Sequence, residues 1–174
     1  MLGETSVSGV IGMVEGEKRG RLGGRSLNPY YEGRKYPEPT VCPRCDLVYR
    51  NGRWQVGEVQ ESGRGVNRSH CPACRREIDR IPGGIVLLSG SYISDRREEI
   101  LNIVRNQAAA AAANRPLQRI MWIEDKGDAI EIATTDGHLA TRIGKAIEAA
   151  CKGTLSIKRG HEDQLTRVYW ERKD

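Results

Sequence analysis

Phenylalanine is missing from all 174 residues, and aromatic residues together make up only 5% of the chain. Apolar residues reach 38%, while glycine alone takes 20 positions. Such a composition suits a modest core with much loop, and disfavours a large enzyme fold around a deep pocket. No stretch approaches the roughly 20 apolar residues of a membrane-spanning helix. The low-complexity run Ala108–Ala113 is too short and too weakly apolar to span anything. The amino terminus lacks an apolar segment between a basic start and a small-residue cleavage site. No secretion signal is therefore expected, and the cytoplasm is the expected compartment.

Catalytic signatures are missing too. There is no GxSxG elbow, no Walker loop and no HExxH helix. Gly20–Gly24 carries glycine and arginine but not the GK[ST] ending of a phosphate loop. Paired acids such as Glu98–Glu99 and Glu124–Asp125 fit solvated faces or turns. A hydrolase built from Asp136, His138 and His161 stays a minor alternative, and the chain is expected not to be an enzyme.

Lysine is absent from residues 41–84, where eight arginines face five acids. The whole chain has a net charge of +5, and this segment holds much of the excess. Arginine's planar fork suits phosphate and base recognition better than a lysine point charge does. The competing reading is that these residues simply keep a small module soluble.

What the segment does contain is four of the five cysteines, as Cys42-Pro-Arg-Cys45 and Cys71-Pro-Ala-Cys74, with 25 residues between the pairs. Two CxxC turns place four thiolates at tetrahedral corners and leave no open position for water. A single structural zinc held by Cys42, Cys45, Cys71 and Cys74 is expected. A thioredoxin-like redox pair would need one CxxC between a strand and a helix, and the ferredoxin spacings of an iron–sulfur site are absent. His70 sits beside a better ligand, and Cys151 reads as a small core residue. Without metal the 41–84 module is expected to unfold.

Three regions follow. Residues 1–40 read as a flexible Gly/Arg-rich basic arm. Tyr30, Tyr31 and Tyr36 lie there among Arg25, Arg34 and Lys35, suited either to stacking on unpaired bases or to packing on the module next door. Residues 41–84 form a zinc-ribbon-like module, with a hairpin at Asn51–Gly52 and a boundary at Gly83–Gly84. Residues 85–174 read as β-α-β-β-α-β-β, with strands at 85–89, 118–124, 129–134, 154–158 and 165–170. Asp95 with Glu98 makes a capping box for the first helix, and Thr135 or Asp136 caps the second. The class is α+β: a βαββαβ-type, ferredoxin-like two-layer domain with helices on one face and an extra C-terminal strand.

Several of these stretches resemble one family in joint order. They are Pro39–Cys45, Arg53–Trp54, Cys71–Arg76, Leu88–Tyr92, Glu98–Asn106 and Thr134–Ala140 with Arg142–Gly144. The chain resembles small bacterial and archaeal zinc proteins related to the amino-terminal part of the large-subunit export adaptor named for nonsense-mediated decay. The resemblance covers roughly residues 37–171. It implies binding to the large ribosomal subunit in the spaces that tRNA uses, with the four cysteines as the family's first zinc motif. Two further CxxC pairs and the carboxy-terminal domains of the longer relatives are not found here. A stress or hibernation factor on an idle ribosome is therefore a more natural expectation than an export adaptor.

The leading expectation is a ribosome-associated zinc protein that binds rRNA and is monomeric when bound. Its candidate contacts are Arg19, Arg21, Arg25, Tyr30, Tyr31, Arg34, Arg44, Arg53, Arg64, Arg68, Arg75 and Arg76. Trp54 could stack on a base, but packing beneath the hairpin is the better reading. The runner-up is a zinc-ribbon DNA-binding regulator of transcription.

Overall fold

The Asn51–Gly52 dipeptide does what its chemistry demands. Both residues adopt positive φ, 55° and 78°, as the two-residue turn of a right-twisted hairpin requires. In the computed structural model, residues 35–59, 65–161 and 164–174 are described. The expected arm with Arg19, Arg21, Arg25, Tyr30, Tyr31 and Arg34, and likewise Arg64, lie outside the described residues.

Strands β2 (Val48–Arg50) and β3 (Arg53–Gln55) flank the turn and pair antiparallel. Strand β1 (Thr40–Val41) pairs antiparallel with β2 and parallel with β4 (Asn67–Arg68). The resulting order is β3-β2-β1-β4. Helix α1 (Pro72–Asp79) follows, an element that the sequence reading did not foresee. Cys71 caps it, Pro72 occupies its first position, and Arg80 ends it in the left-handed region. Proline suits that first position because its missing N–H would have had no helical partner anyway.

The remainder builds a five-stranded sheet of order β6-β7-β5-β9-β8, from β5 (Gly84–Ser89), β6 (Ile120–Asp125), β7 (Ala129–Thr134), β8 (Thr154–Arg159) and β9 (Thr166–Glu171). Helix α2 (Tyr92–Asn114) starts earlier than expected with one turn, and kinks at Arg96, close to the foreseen start. Helix α3 (Gly137–Cys151) is capped by Asp136, whose side chain accepts from the His138 amide. Both helices bury their stripes on the same sheet face: Ile100, Leu101, Val104, Leu139, Ile143 and Ile147 meet Val86, Leu88, Ile132, Val168 and Trp170. Cys151 lies in this core, as its small apolar character suggested.

One feature of the sheet departs from the split βαβ plan. That plan is antiparallel throughout, whereas β9 runs parallel to β5 and lies between β5 and β8. The C-terminal strand is thus an interior strand. The short β8–β9 connection lets β9 fold to either side of β8, and the inner side buries Val168 and Trp170 completely. The Trp170 indole also donates to the Lys152 carbonyl at 2.6 Å.

Tyr36–Asp174 form one compact unit. Within it the cysteine module has its own small buried cluster, comprising Leu47, Tyr49, Trp54 and Ala73 with the cysteines, against which Tyr36 and Leu117 pack. Among the described residues no helix is long and apolar enough to cross a membrane.

Candidate metal centre

The first CxxC pair sits in a turn between β1 and β2, closed by the Asp46 amide on the Cys42 carbonyl and the Cys42 amide on the Leu47 carbonyl, both 2.9 Å. The second opens α1, where the Cys74 amide donates to Cys71 Sγ at 3.4 Å. One pair is therefore held by a strand turn and the other by a helix start.

All four sulfurs lie within 4.8 Å of one another, and Cys45 Sγ stands 3.7 Å from Cys71 Sγ. A tetrahedral ion with metal–sulfur bonds of about 2.3 Å spaces its ligands about 3.8 Å apart, so the cluster fits a four-thiolate metal site. None of these cysteines is in a disulfide. Cys42, Cys71 and Cys74 are fully buried, and Cys45 is partly exposed.

The thiols differ in acidity for physical reasons. Burial opposes ionisation of Cys42, but the Cys71, Arg44 and Cys45 amides donate to its sulfur and hold it down at about 7. Burial pushes Cys71 far up, with the neighbouring Cys45 sulfur adding to the effect. Cys74 is also raised by burial, partly offset by the Arg119 guanidinium. Four thiols this close cannot all ionise on their own, and a bound cation supplies the charge that lets them.

Arg119 is the residue that sequence reasoning missed. It precedes β6, 45 residues or more beyond the sulfurs it reaches. Its Nη1 donates to Cys74 Sγ at 3.3 Å, and its Nη2 to Cys45 Sγ at 3.1 Å and Cys71 Sγ at 3.7 Å. Its Nε donates to the Pro116 carbonyl at 3.0 Å. Its backbone amide donates to Thr135 Oγ1 at 2.9 Å, and its carbonyl accepts from the Thr135 amide at 2.9 Å. Burial works against its charge, but the sulfurs outweigh that and hold it protonated. No motif marks this position, because the contact depends on where the sheet sits against the module.

The arginines expected to meet RNA divide into two groups. Arg44 pairs with Glu77 at 2.6 Å, Arg75 donates to the Tyr36 hydroxyl at 2.9 Å, and Arg76 donates to the Ile81 carbonyl at 3.1 Å. Arg53 and Arg68 are exposed. Side chains alternate across a strand, and the registers Thr40↔Tyr49, Thr40↔Asn67 and Tyr49↔Trp54 place Thr40, Tyr49 and Trp54 on the buried face. Arg50, Arg53 and Arg68 then share the opposite face with the buried Val48, and Arg50 Nη2 donates to the Glu58 carbonyl at 3.1 Å. Trp54 is 7% exposed and packs edge-on to Tyr49 and Tyr36, with centroids 5.5 and 5.2 Å away. Packing is the outcome for Trp54 and for Tyr36.

Asp136 serves as the α3 cap and His138 is exposed beside it, while His161 lies in the β8–β9 connection. Comparison with protein-family models, curated proteins and solved structures finds no match to this chain.

Proposed function

We propose that this chain is a zinc-stapled RNA-binding protein that associates with the ribosome. The carrying observation is the module sheet, whose buried face is pinned to the four-cysteine site while exposed Arg53 and Arg68 stand on the strands' other side. Short strands with so small a core need a staple, and a metal supplies one. Zinc suits a closed set of four thiolates with no position left for a reacting water, so its role here is structural. Arginines fixed on a rigid patch contact phosphates without the entropy cost of ordering a loose loop. The net charge of +5 acts in the same direction.

Irregular or single-stranded RNA is the target that such a patch reads best, because A-form grooves offer side chains little sequence information. The resemblance of the ordered motifs to ribosome-binding zinc proteins adds the partner. On this reading the protein acts as a monomer in the cytoplasm, in tRNA space of an idle ribosome, as a stress or hibernation factor.

Sucrose-gradient sedimentation of the tagged full chain tests the proposal. Co-migration with ribosomal particles is expected, with loss at raised salt as phosphate contacts are released. Arg53→Glu with Arg68→Glu should abolish co-migration while leaving metal content at one ion per chain. Free protein at the top of the gradient that shifts duplex DNA would overturn the ribosomal reading in favour of a DNA-binding regulator.

A further inference from the structure

We infer that Arg119 is a positioning residue for the metal centre, a latch that makes tight metal binding depend on the docking of the cysteine module against the α/β layer. The inference rests on the metal reading of the four cysteines, and is independent of what the protein binds.

The guanidinium touches Cys45 from the first pair and Cys71 and Cys74 from the second. It thereby bridges the two halves of the site. The sulfur it leaves out, Cys42, is the one that receives the Cys71, Arg44 and Cys45 amides. Each of the four sulfurs thus has donors, and three of them share one cation.

Charge explains why a cation stands there. Four thiolates around a divalent ion carry a net charge of −2, and a buried net charge without compensation is costly. Arg119 halves it. A metal-bound thiolate that accepts N–H bonds is also a weaker electron donor, so these contacts set the bonding at the ion as well as its surroundings.

The latch is preorganised from the α/β side. The Pro116 carbonyl holds Nε, and Thr135 holds the backbone on both sides of the peptide. Thr135 Oγ1 itself donates to the Leu117 carbonyl. Leu117 packs on the module cluster two residues before the arginine. The pull on the sulfurs therefore comes from the junction of β7 with α3, not from the module.

A plain interface ion pair is the competing reading, since Glu77 Oε2 lies 3.7 Å from Arg119 Nη1. That carboxylate is closer to Arg44, at 2.6 Å. The sulfur contacts at 3.1 and 3.3 Å are the shorter ones for Arg119.

The experiment uses the full chain under reducing conditions, loaded with zinc or with cobalt(II) as a spectroscopic probe. Arg119→Met should weaken metal affinity about 10–100-fold, the range for loss of a partner that orients metal ligands. It should also shift the sulfur-to-cobalt charge-transfer band, which a merely structural contact would leave unmoved. Arg119→Lys keeps the charge but loses the fork that spans two pairs, so it should fall between. Arg80→Met removes a different contact between module and sheet, the pairing with Glu124 at 3.6 Å and the stacking over Trp122 at 4.4 Å. It should leave affinity and band unchanged.

The inference is overturned if Arg119→Met binds metal within about twofold of wild type with an unmoved band. It is equally overturned if Arg80→Met loses as much affinity, since docking in general would then be the cause. Should Arg119→Met fail to fold, Arg119→Lys decides: weaker binding with a shifted band supports the latch, and wild-type behaviour refutes it.

Discussion

Removing the metal should unfold the cysteine module and spare the five-stranded layer. The perturbation is a chelator under reducing conditions, or Cys42→Ser, which deletes a fully buried ligand. The module's large buried side chains are Leu47, Val48, Tyr49 and Trp54. Together they are worth about 6–12 kcal/mol, which does not offset the entropy cost of ordering the module, whereas a structural zinc adds roughly 10–16 kcal/mol to the fold that holds it. The ion therefore decides whether the module is folded. The layer, by contrast, has a core cluster made wholly of residues from Val86 onward, and draws nothing from the four cysteines of the metal site.

The structure also sets the size of the signal. Helix α1 has 8 residues, against 23 in α2 and 15 in α3. Far-UV dichroism should lose about one-sixth of its helical component, because only α1 depends on metal-driven folding. Trp54 should move from near-complete burial to water and shift its emission to the red, while Trp170 stays at 0% exposure. One metal ion should be released per chain. Loss of most of the helical signal together with exposure of Trp170 would refute the reasoning. It would mean that Arg119, Thr135 and Leu117 carry stability from the module into the sheet as well as the reverse.

Two further outcomes are open to direct measurement. Gly144→Ala adds a helix-favouring methyl worth about 1 kcal/mol by propensity, but its Cβ would meet Val168 Cγ1 at 2.4 Å and Leu155 Cδ1 at 3.0 Å. Overpacking at about 1–3 kcal/mol should win, lowering the denaturation midpoint; a higher midpoint would show that α3 can move off β9. Metal binding should release protons, because burial raises Cys71 and Cys74 above the usual thiol range and they are protonated at neutral pH in the metal-free protein. Affinity should therefore rise with pH, and calorimetry in buffers of different ionisation enthalpy should count about two or more protons per ion at pH 7.

Much of this molecule is legible from residue order, and the parts that are not share a cause. The Asn51–Gly52 hairpin, the Asp136 cap and the stripes of α2 and α3 are local, written within a few neighbouring residues. The four-cysteine cluster is long-range but carries its own code, since spacing and soft ligands define it. Helix α1 is signalled only by Pro72 after a capping Cys71, inside the second CxxC pair. The interior place of β9 was not readable, because both sides of β8 suit the same alternating pattern and only the fit of Trp170 decides. Arg119 was hidden for the same reason. An arginine at the start of an expected strand looks like any solvated cation until the tertiary structure brings three sulfurs to it.

That contrast bears on how the arginines of the module divide. Arginine content alone treats Arg44, Arg53, Arg68, Arg75 and Arg76 as one population of phosphate contacts. The fold spends Arg44, Arg75 and Arg76 on Glu77, the Tyr36 hydroxyl and the Ile81 carbonyl. These bonds tie α1 to the Cys42–Cys45 turn, to Tyr36 and to the chain just beyond its own end, so loss of one of them should weaken the scaffold and alter RNA affinity only through it. Arg53 stands exposed on the face away from the metal, where loss of a phosphate contact leaves the scaffold whole. Salt dependence separates the two groups. Replacing an outward arginine should reduce the slope of log affinity against log salt by about one counterion, whereas replacing a bracing one should lower affinity at every salt concentration with the slope unchanged. A fall in slope on Arg75→Met equal to that on Arg53→Met would mean that the bracing bonds open when RNA binds.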